Sequence, residues 1–334
     1  MRKYLLPENG TFYKANLHCH TTLSDGKMTP EEVKNHYKAN GYSVVAFTDH
    51  DVLIAHPELA DDDFLPLNGY EMEVNAPTID LPRYRKTCHM CFIALEPDNL
   101  KQVCYHRSKY IFSNSVNYLD KIQYDENEPD FEREYSHECI NKMMKTGRDN
   151  GFFVTYNHPD WSLEDYNDYM GYNYMNAMEI YNSESSLIGF CDYNEKEYED
   201  MLRGNKRIYC IAADDNHGIA ACCKGFIMIK ADKLEYRTIT RAMVNGNFYA
   251  SQGPEIYDLW FEDDKVVVEC SEAVSISLRT SSRRAKMVCA ENGEPVCRAE
   301  FNVVPEDGYI RITITDSEGK HANTNAYFTD ELFD

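Results

Sequence analysis

His18 and His20 stand one residue apart at the end of an apolar run, Phe12–Leu17, that reads as a strand. Strand side chains alternate between faces, so the His-x-His pair puts both imidazoles on one side, within reach of a single metal ion. Asp25 follows in the turn Ser24-Asp25-Gly26. Thr48-Asp49-His50-Asp51 closes a second apolar run, and Gly69-Tyr70-Glu71 closes a third. Cys88-His89 opens another. Asn157-His158-Pro159 follows Phe152–Tyr156, and Asp214-Asp215-Asn216-His217 follows Ile208–Ala213. Six histidines with interleaved acids thus sit where strands meet loops. In α/β barrels that end carries the active site. Burying so many imidazoles and carboxylates without metal would be costly. Imidazole and carboxylate donors without a thiolate pattern suit Zn, Mn or Fe. The nine candidate donors are too many for one tetrahedral ion. They suggest two or three divalent ions sharing a bridging carboxylate, a type of cluster that activates water and clamps oxyanions.

The elements that must position these residues are legible as alternating apolar runs and helical patterns, an α/β texture. Thr29-Pro30-Glu31-Glu32 is a helix start with a cap, Pro at the first helical position and Glu three after the cap, and Gly41 is its stop. Strands are expected over Ser43–Phe47, Phe64–Glu71, Cys88–Leu95, Phe152–Tyr156, Ala177–Tyr181, Ile208–Ala213 and Phe226–Ile229. Helices are expected over Phe131–Asn150, Asp192–Leu202 and Leu234–Asn245. After Gly253-Pro254 the texture becomes short alternating runs between acidic and Gly turns, with no amphipathic helix. This is the pattern of a small all-β domain. The boundary falls near 250–256. Pro97–Pro129 and the tyrosine-rich Asp160–Asn176 read as long loops, either functional or plain surface excursions.

A chain of 334 residues suggests about two domains. Its net charge of −22 argues against binding to nucleic-acid duplexes or anionic membranes. It leaves room for a small phosphorylated substrate, because bound metal reverses the local field. No run approaches about 18 apolar residues and the N-terminus lacks an apolar signal core, so a cytoplasmic protein is expected. The 12 cysteines show no disulfide framework, and the lone Cys88-x-x-Cys91 pair is weak. They read as reduced, mostly buried small hydrophobes.

The segment Asn16-Leu17-His18-Cys19-His20-Thr21-Thr22-Leu23-Ser24-Asp25-Gly26 resembles the first motif of the polymerase and histidinol phosphatase (PHP) family. Thr48-Asp49-His50-Asp51, Asn157-His158-Pro159 and Asp215-Asn216-His217 resemble the second, third and fourth, in the right order, over roughly residues 10–253. The Gly-Asn-Phe-Tyr-Ala-Ser-Gln-Gly-Pro stretch at 246–254 and the β-rich tail resemble the carbaryl-hydrolase-like branch. The resemblance implies a distorted (β/α)7 barrel over 1–253 followed by a β-rich accessory domain over 254–334. It implies a trinuclear site. His18, His20, Glu71 and Asp215 would hold the first ion. Glu71 would bridge to a second, bound also by His89 and His158. Asp25, His50 and His217 would hold the third. Asn16 stands where Asp is common in the family. Asp214 rivals Asp215 as the fourth-motif ligand, and the Asp-x-His spacing favours Asp215.

Other residues carry weaker readings. Glu179 is either an orienting partner of a ligand or a buried structural acid. Asp49 and Asp51 orient an imidazole or shape the turn, and Asp49 is one candidate acid for the leaving group. His36, His56, His106, His137 and His321 match no motif and read as surface or helix-face residues. Arg83, Arg85, Lys86, Arg107 and Lys109 are candidates for holding a phosphate or for balancing nearby acids. The expected reaction is phosphoester hydrolysis on a small phosphomonoester or nucleotide by a metal-bridging hydroxide, with Glu71, Asp215 and His217 as the catalytic residues. The same centre could instead cleave an ester, amide or carbamate, and a metal-binding module without activity is the third possibility.

Overall fold

The computed structural model of the chain describes residues 2–77, 84–191 and 193–333. In chain order the strands and helices of the first part are β1 (Lys3–Tyr4), β2 (Thr11–Asn16), α1 (Pro30–Ala39), β3 (Val44–Phe47), β4 (Leu65–Asn75), β5 (Thr87–Ala94), α2 (His137–Asp149), β6 (Phe152–Asn157), α3 (Tyr166–Tyr169), β7 (Ala177–Asn182), α4 (Ser183–Leu187), α5 (Glu195–Arg203), β8 (Tyr209–Ala213), β9 (Phe226–Ala231), α6 (Tyr236–Val244) and β10 (Phe248–Ser251). The expected elements match to within a few residues, with two informative exceptions, while β1, α3, α4 and β10 are elements the sequence patterns do not mark.

The first is α2, which begins at His137 rather than Phe131. Ser136 caps it by accepting from the Cys139 amide. Residues 131–135 are drawn instead into a loop that sends Arg133 inward. The second is β5. It runs antiparallel to both β4 and β6, whereas β2–β3–β4 and β6–β7–β8 pair in parallel. The strands are therefore not all parallel: β5 is reversed, and so is β9, which pairs antiparallel with β2. The reversal of β5 explains why His89 opens its strand: the start of an antiparallel strand lies at the same end as the finish of its neighbours.

The strands β2 to β8 are neighbours in sequence order. Beyond the last residue of β8 the chain returns to β2, where Cys19 and Asn216 form a parallel bridge. The Asp215 amide donates to the His18 carbonyl at 3.0 Å, and the His20 amide to the Asn216 carbonyl at 3.3 Å. The capping box of Thr29 and Glu32 forms as expected and starts α1. The apolar interior includes Val44, Leu67, Met90, Phe92, Val154, Met178 and Ile211, all buried.

β10 continues the ladder into the C-terminal part, pairing with β9 on one side and β17 on the other. That part contains β11 (Ile256–Glu262), β12 (Lys265–Ala273), β13 (Ser275–Thr280), β14 (Lys286–Cys289), β15 (Val296–Asn302), β16 (Tyr309–Thr315), β17 (His321–Thr324), β18 (Tyr327–Phe328) and the short α7 (Thr329–Leu332). The last of the short apolar runs in the sequence, Asn325–Phe328, is a strand only over Tyr327–Phe328, and neither β14 nor β17 lies on such a run. β1 joins β11 and β12 in a separate sheet with β15, so residues 3–4 pack with the C-terminal strands. The two parts also meet through Arg311, which is fully buried and reaches Glu199 of α5 at 2.5 Å and Glu195. Among the described residues no helix is long and apolar enough to cross a membrane, and every described cysteine is free.

Candidate metal centre

The loops after β2, β3, β6 and β8 and the strands β4 and β5 bring all nine candidate donors to one end of the sheet. His18, His20, Glu71 and Asp215 converge with one donor atom each, as do Glu71, His89 and His158, and as do His20, Asp25, His50 and His217. His20 therefore belongs to two groups, where the resemblance gave it one. The third group lies at the mouth: the Asp25 and His217 side chains are each 29% exposed, while His18, His20 and Glu71 are sealed.

The donor atoms face one another rather than pairing off. His18 Nε2 and His20 Nε2 lie 3.1 Å apart, and each lies within 3.1 Å of Asp215 Oδ1. Glu71 lies 3.2 Å from both His18 Nε2 and His89 Nδ1 and 3.3 Å from His50 Nδ1. Yet His20 Nδ1, His50 Nδ1 and Asp215 Oδ1 are buried with no aligned hydrogen-bond partner. Buried polar atoms in proteins are nearly always satisfied. Lone pairs aimed at common points are satisfied by cations, so the donor set fits divalent metal.

The electrostatics agree. Burial opposes charge on Glu71, but His18, His89 and His50 hold its carboxyl well below the usual range. Asp215 is likewise held low against burial by His18, His20 and His158. Burial and the neighbouring His20 push the His50 imidazole down to about 3. The acids are therefore ionised and ready to receive cations, which compete with protons for the imidazoles.

Three of the imidazoles, those of His18, His158 and His217, are held from behind. Glu179 Oε1 lies 2.7 Å from His18 Nδ1, and its other oxygen accepts from the His158 amide at 3.0 Å. Ser162 Oγ is 3.2 Å from His158 Nδ1, and the Asp215 carbonyl is 2.9 Å from His217 Nδ1. Such partners fix ring orientation and raise ligand basicity. His158 (φ 27°), Asp51 (φ 54°) and Asp215 (φ 52°) occupy the left-handed region, a strain found at functional sites. Gly26 lets the Asp25 turn fold back, since a Cβ there would meet the His20 carbonyl at 2.5 Å.

The rival acids are sorted by their contacts. Asp214 turns away and accepts from the amides of Cys223, Lys224 and Gly225 at 2.7–3.0 Å and from the Tyr37 hydroxyl at 2.8 Å. Asp49 accepts from the Thr21 amide and hydroxyl, both at 2.8 Å, and from the Ser24 hydroxyl at 2.6 Å. It shapes the turn, and its oxygens are committed there, so it is not placed to protonate a leaving group. Asp51 forms a buried pair with Arg133. Asn16 ties the His18 carbonyl to the Tyr37 hydroxyl and accepts from the Asp214 amide.

None of His36, His56, His106, His137 and His321 joins the cluster. His56 and His106 are buried rather than on the surface, His56 against Phe47 and His106 beside Glu132. Lys86 pairs with Asp165 and Asp168, Arg107 with Asp130, and Lys109 with Glu132, so these three balance acids. Arg83 lies outside the described residues, as does Asp192 of the expected helix. Within the tyrosine-rich loop Tyr169 and Tyr172 pack inward, Tyr172 donating to Glu164 as Tyr156 of β6 does, while Tyr166 and Tyr174 are exposed.

Three contributors escaped the sequence reading. Glu73 sits opposite His89 in the β4–β5 ladder, its carboxylate 3.5 Å from His89 Nε2. Its spacing two residues after Glu71 places both on one strand face and was a usable signal. Trp161 meets His89 and His158 edge to face, at 5.2 and 5.0 Å between ring centroids. Phe112 lies 4.8 Å from His50. Neither aromatic carries a local sequence signal. The centre opens into a cavity of about 430 Å³ lined also by Glu184, Ser185 and Ile188.

The sequence matches the PHP domain over residues 16–209, more than half of the chain. The chain belongs to the PHP family. A comparison with curated proteins finds no match. Among solved structures, this PHP protein is similar to a two-domain protein from Bacteroides vulgatus containing a predicted PHP-like metal-dependent phosphoesterase (13% identity, 97% of each chain covered, TM-score 0.47). It is also similar to an amidohydrolase from Chromobacterium violaceum with bound sulfate and no metal (13% identity, 70% of this chain and 96% of that one, TM-score 0.40).

Proposed function

We propose that this PHP protein is a metal-dependent hydrolase that cleaves small phosphate esters. The observation that carries the reading is the convergence of nine imidazole and carboxylate donors, several of them buried without aligned partners. In this reading His18, His20, Glu71 and Asp215 hold one divalent ion. Glu71, His89 and His158 hold a second, and Asp25, His50 and His217 hold a third at the mouth. Bound ions of this class supply Lewis acidity and lower the pKa of water. Glu179 keeps His18 turned toward the centre and fixes the His158 backbone. Glu73 does the same for His89, and Trp161 and Phe112 exclude water from the inner walls. The ring β2–β8, closed at Cys19 and Asn216, is the seven-stranded barrel that supports the site. Residues 1–253 carry the catalytic part, and 254–334 are an accessory part to which residues 3–4 add a strand. The partner is a small phosphorylated molecule rather than nucleic acid.

The test is phosphate release from a panel of phosphomonoesters and nucleotides after Zn, Mn or Fe loading, with Glu71→Gln as control. Metal-dependent release that Glu71→Gln abolishes supports the reading. Release that survives in that variant removes Glu71 from the centre. No release from protein that binds metal would move the activity to ester, amide or carbamate carbon.

A further inference from the structure

Beside the metal centre lies a second cavity, of about 670 Å³, that shares Glu73, His89, Trp161 and Ile188 with the first. Its remaining wall combines the apolar Leu163 and Phe190 with the polar Asn75 and Thr87, and it carries Arg85, which does not line the first cavity. Leu163, Ile188 and Phe190 are 42%, 54% and 38% exposed, an unusual cluster of open apolar side chains beside a buried polar site. Leu163 is held at φ 59°, a left-handed backbone that a bulky residue rarely adopts. Arg85 has no ion pair or hydrogen bond among the described residues, although its neighbour Lys86 is doubly paired.

The walls are tied into one unit. The Thr87 amide donates to the Ser162 carbonyl at 3.1 Å, joining the Arg85 segment to the Trp161 turn. The Cys191 amide donates to Asp160 at 2.8 Å, joining the Phe190 turn to the same segment. Within that turn the Leu163 amide donates to the Asp160 carbonyl at 3.0 Å. The cavity is therefore preformed, with a flat indole that it shares with the metal centre's cavity and a single guanidinium that it does not. Sites of this make-up take an apolar body oriented by a few polar groups. A lone guanidinium matches one carboxylate through paired N–H bonds.

We propose that this cavity is the leaving-group subsite, and that it takes an aromatic ring bearing a carboxylate that Arg85 receives. The inference rests on the phosphoesterase reading for the bond that is cleaved, and on Arg85, Trp161, Leu163, Ile188 and Phe190 for the group that leaves. The ring lies along Trp161 and Phe190, and the phosphate end reaches the metal centre past Glu73.

The test uses the metal-loaded full chain and two probes. The first is 3-hydroxybenzoate, followed by quenching of Trp161 emission, with Trp260→Phe as background and Trp161→Phe as the assignment control. Saturable quenching is expected in the Trp260→Phe background, with binding at least tenfold weaker when Arg85→Gln is added and partly restored by Arg85→Lys. The second is 3-carboxyphenyl phosphate against phenyl phosphate. The carboxylated ester is expected to have the lower KM, and Arg85→Gln to collapse that preference tenfold or more. Equal binding by Arg85→Gln and its parent overturns the proposal, as does equal KM for the two esters. Quenching that depends on Arg85 without phosphate release from any ester would sink the phosphoesterase reading and leave the subsite standing. Release without ring or carboxylate preference would do the reverse.

Discussion

Glu179 Oε1 lies 2.7 Å from His18 Nδ1, on the side of the ring opposite Glu71 and Asp215. The carboxylate fixes which nitrogen carries the proton and leaves Nε2 free to bind a cation. Glu179→Gln should weaken divalent-metal binding by about 10- to 100-fold. Metal titration by isothermal calorimetry checks this. Unchanged affinity would mean that His18 needs no orienting anion.

Asp214 and Asp215 are adjacent but do different work. Asp215→Asn should lose bound metal while keeping the fold. Asp214→Asn should keep the metal donors and lose stability, because it weakens the acceptor of three amides and a tyrosine. Metal content by mass spectrometry and urea midpoints for both variants separate the roles. The opposite pattern would reverse the assignment.

Arg133 and Asp51 form a buried ion pair that fastens the loop before α2 to the turn beside His50. Removing one partner strands the other charge, at a cost of roughly 3–5 kcal/mol. Arg133→Met and Asp51→Asn should each destabilise by that order, and the double variant by clearly less than their sum. Additive losses in denaturant unfolding would show that the two side chains are not coupled.

Glu164 predicts a pH dependence. Burial pushes its carboxyl up to about 7, against hydroxyl donation from Tyr156, Tyr172 and Tyr135. The folded state thus holds a proton that the unfolded chain releases near the ordinary value of 4.5. Its stabilising contribution is complete below that value and is lost as pH rises toward about 7. At about 1.4 kcal/mol per pH unit, the loss is at most about 3.5 kcal/mol. Glu164→Gln should flatten the fall in urea midpoint across this window relative to the native protein. Parallel curves would contradict it.

The parts of the centre that were legible in the sequence lie close together along the chain. His18 and His20, the Asp-x-His of Asp215 and His217, and His50 each sit at the end of a short apolar run, so strand periodicity exposes them. Thr29 with Glu32 is legible for the same reason, because a capping box is local. What escaped depends on pairing between distant segments. Glu73 acquires its role only because β5 reverses direction and sets His89 opposite it. Arg133 leaves a helical pattern because a buried Asp51, 82 residues earlier, draws it in. Trp161 gains its role from packing on His89 and His158, and the strand at residues 3–4 exists only because Phe261 and Trp260 are there to receive it.

The ladder that runs from β9 through β10 to β17 also sets an order of events during synthesis. All the donors of the metal centre have been made by residue 217, and β10 is complete by residue 251. Its outer edge stays open until residues 321–324 emerge to cover it. An uncovered strand edge recruits other chains. Through the 69 residues between the two, the nascent chain therefore carries an uncovered edge, and a chain cut off within them would hold a complete set of metal donors beside an adhesive edge.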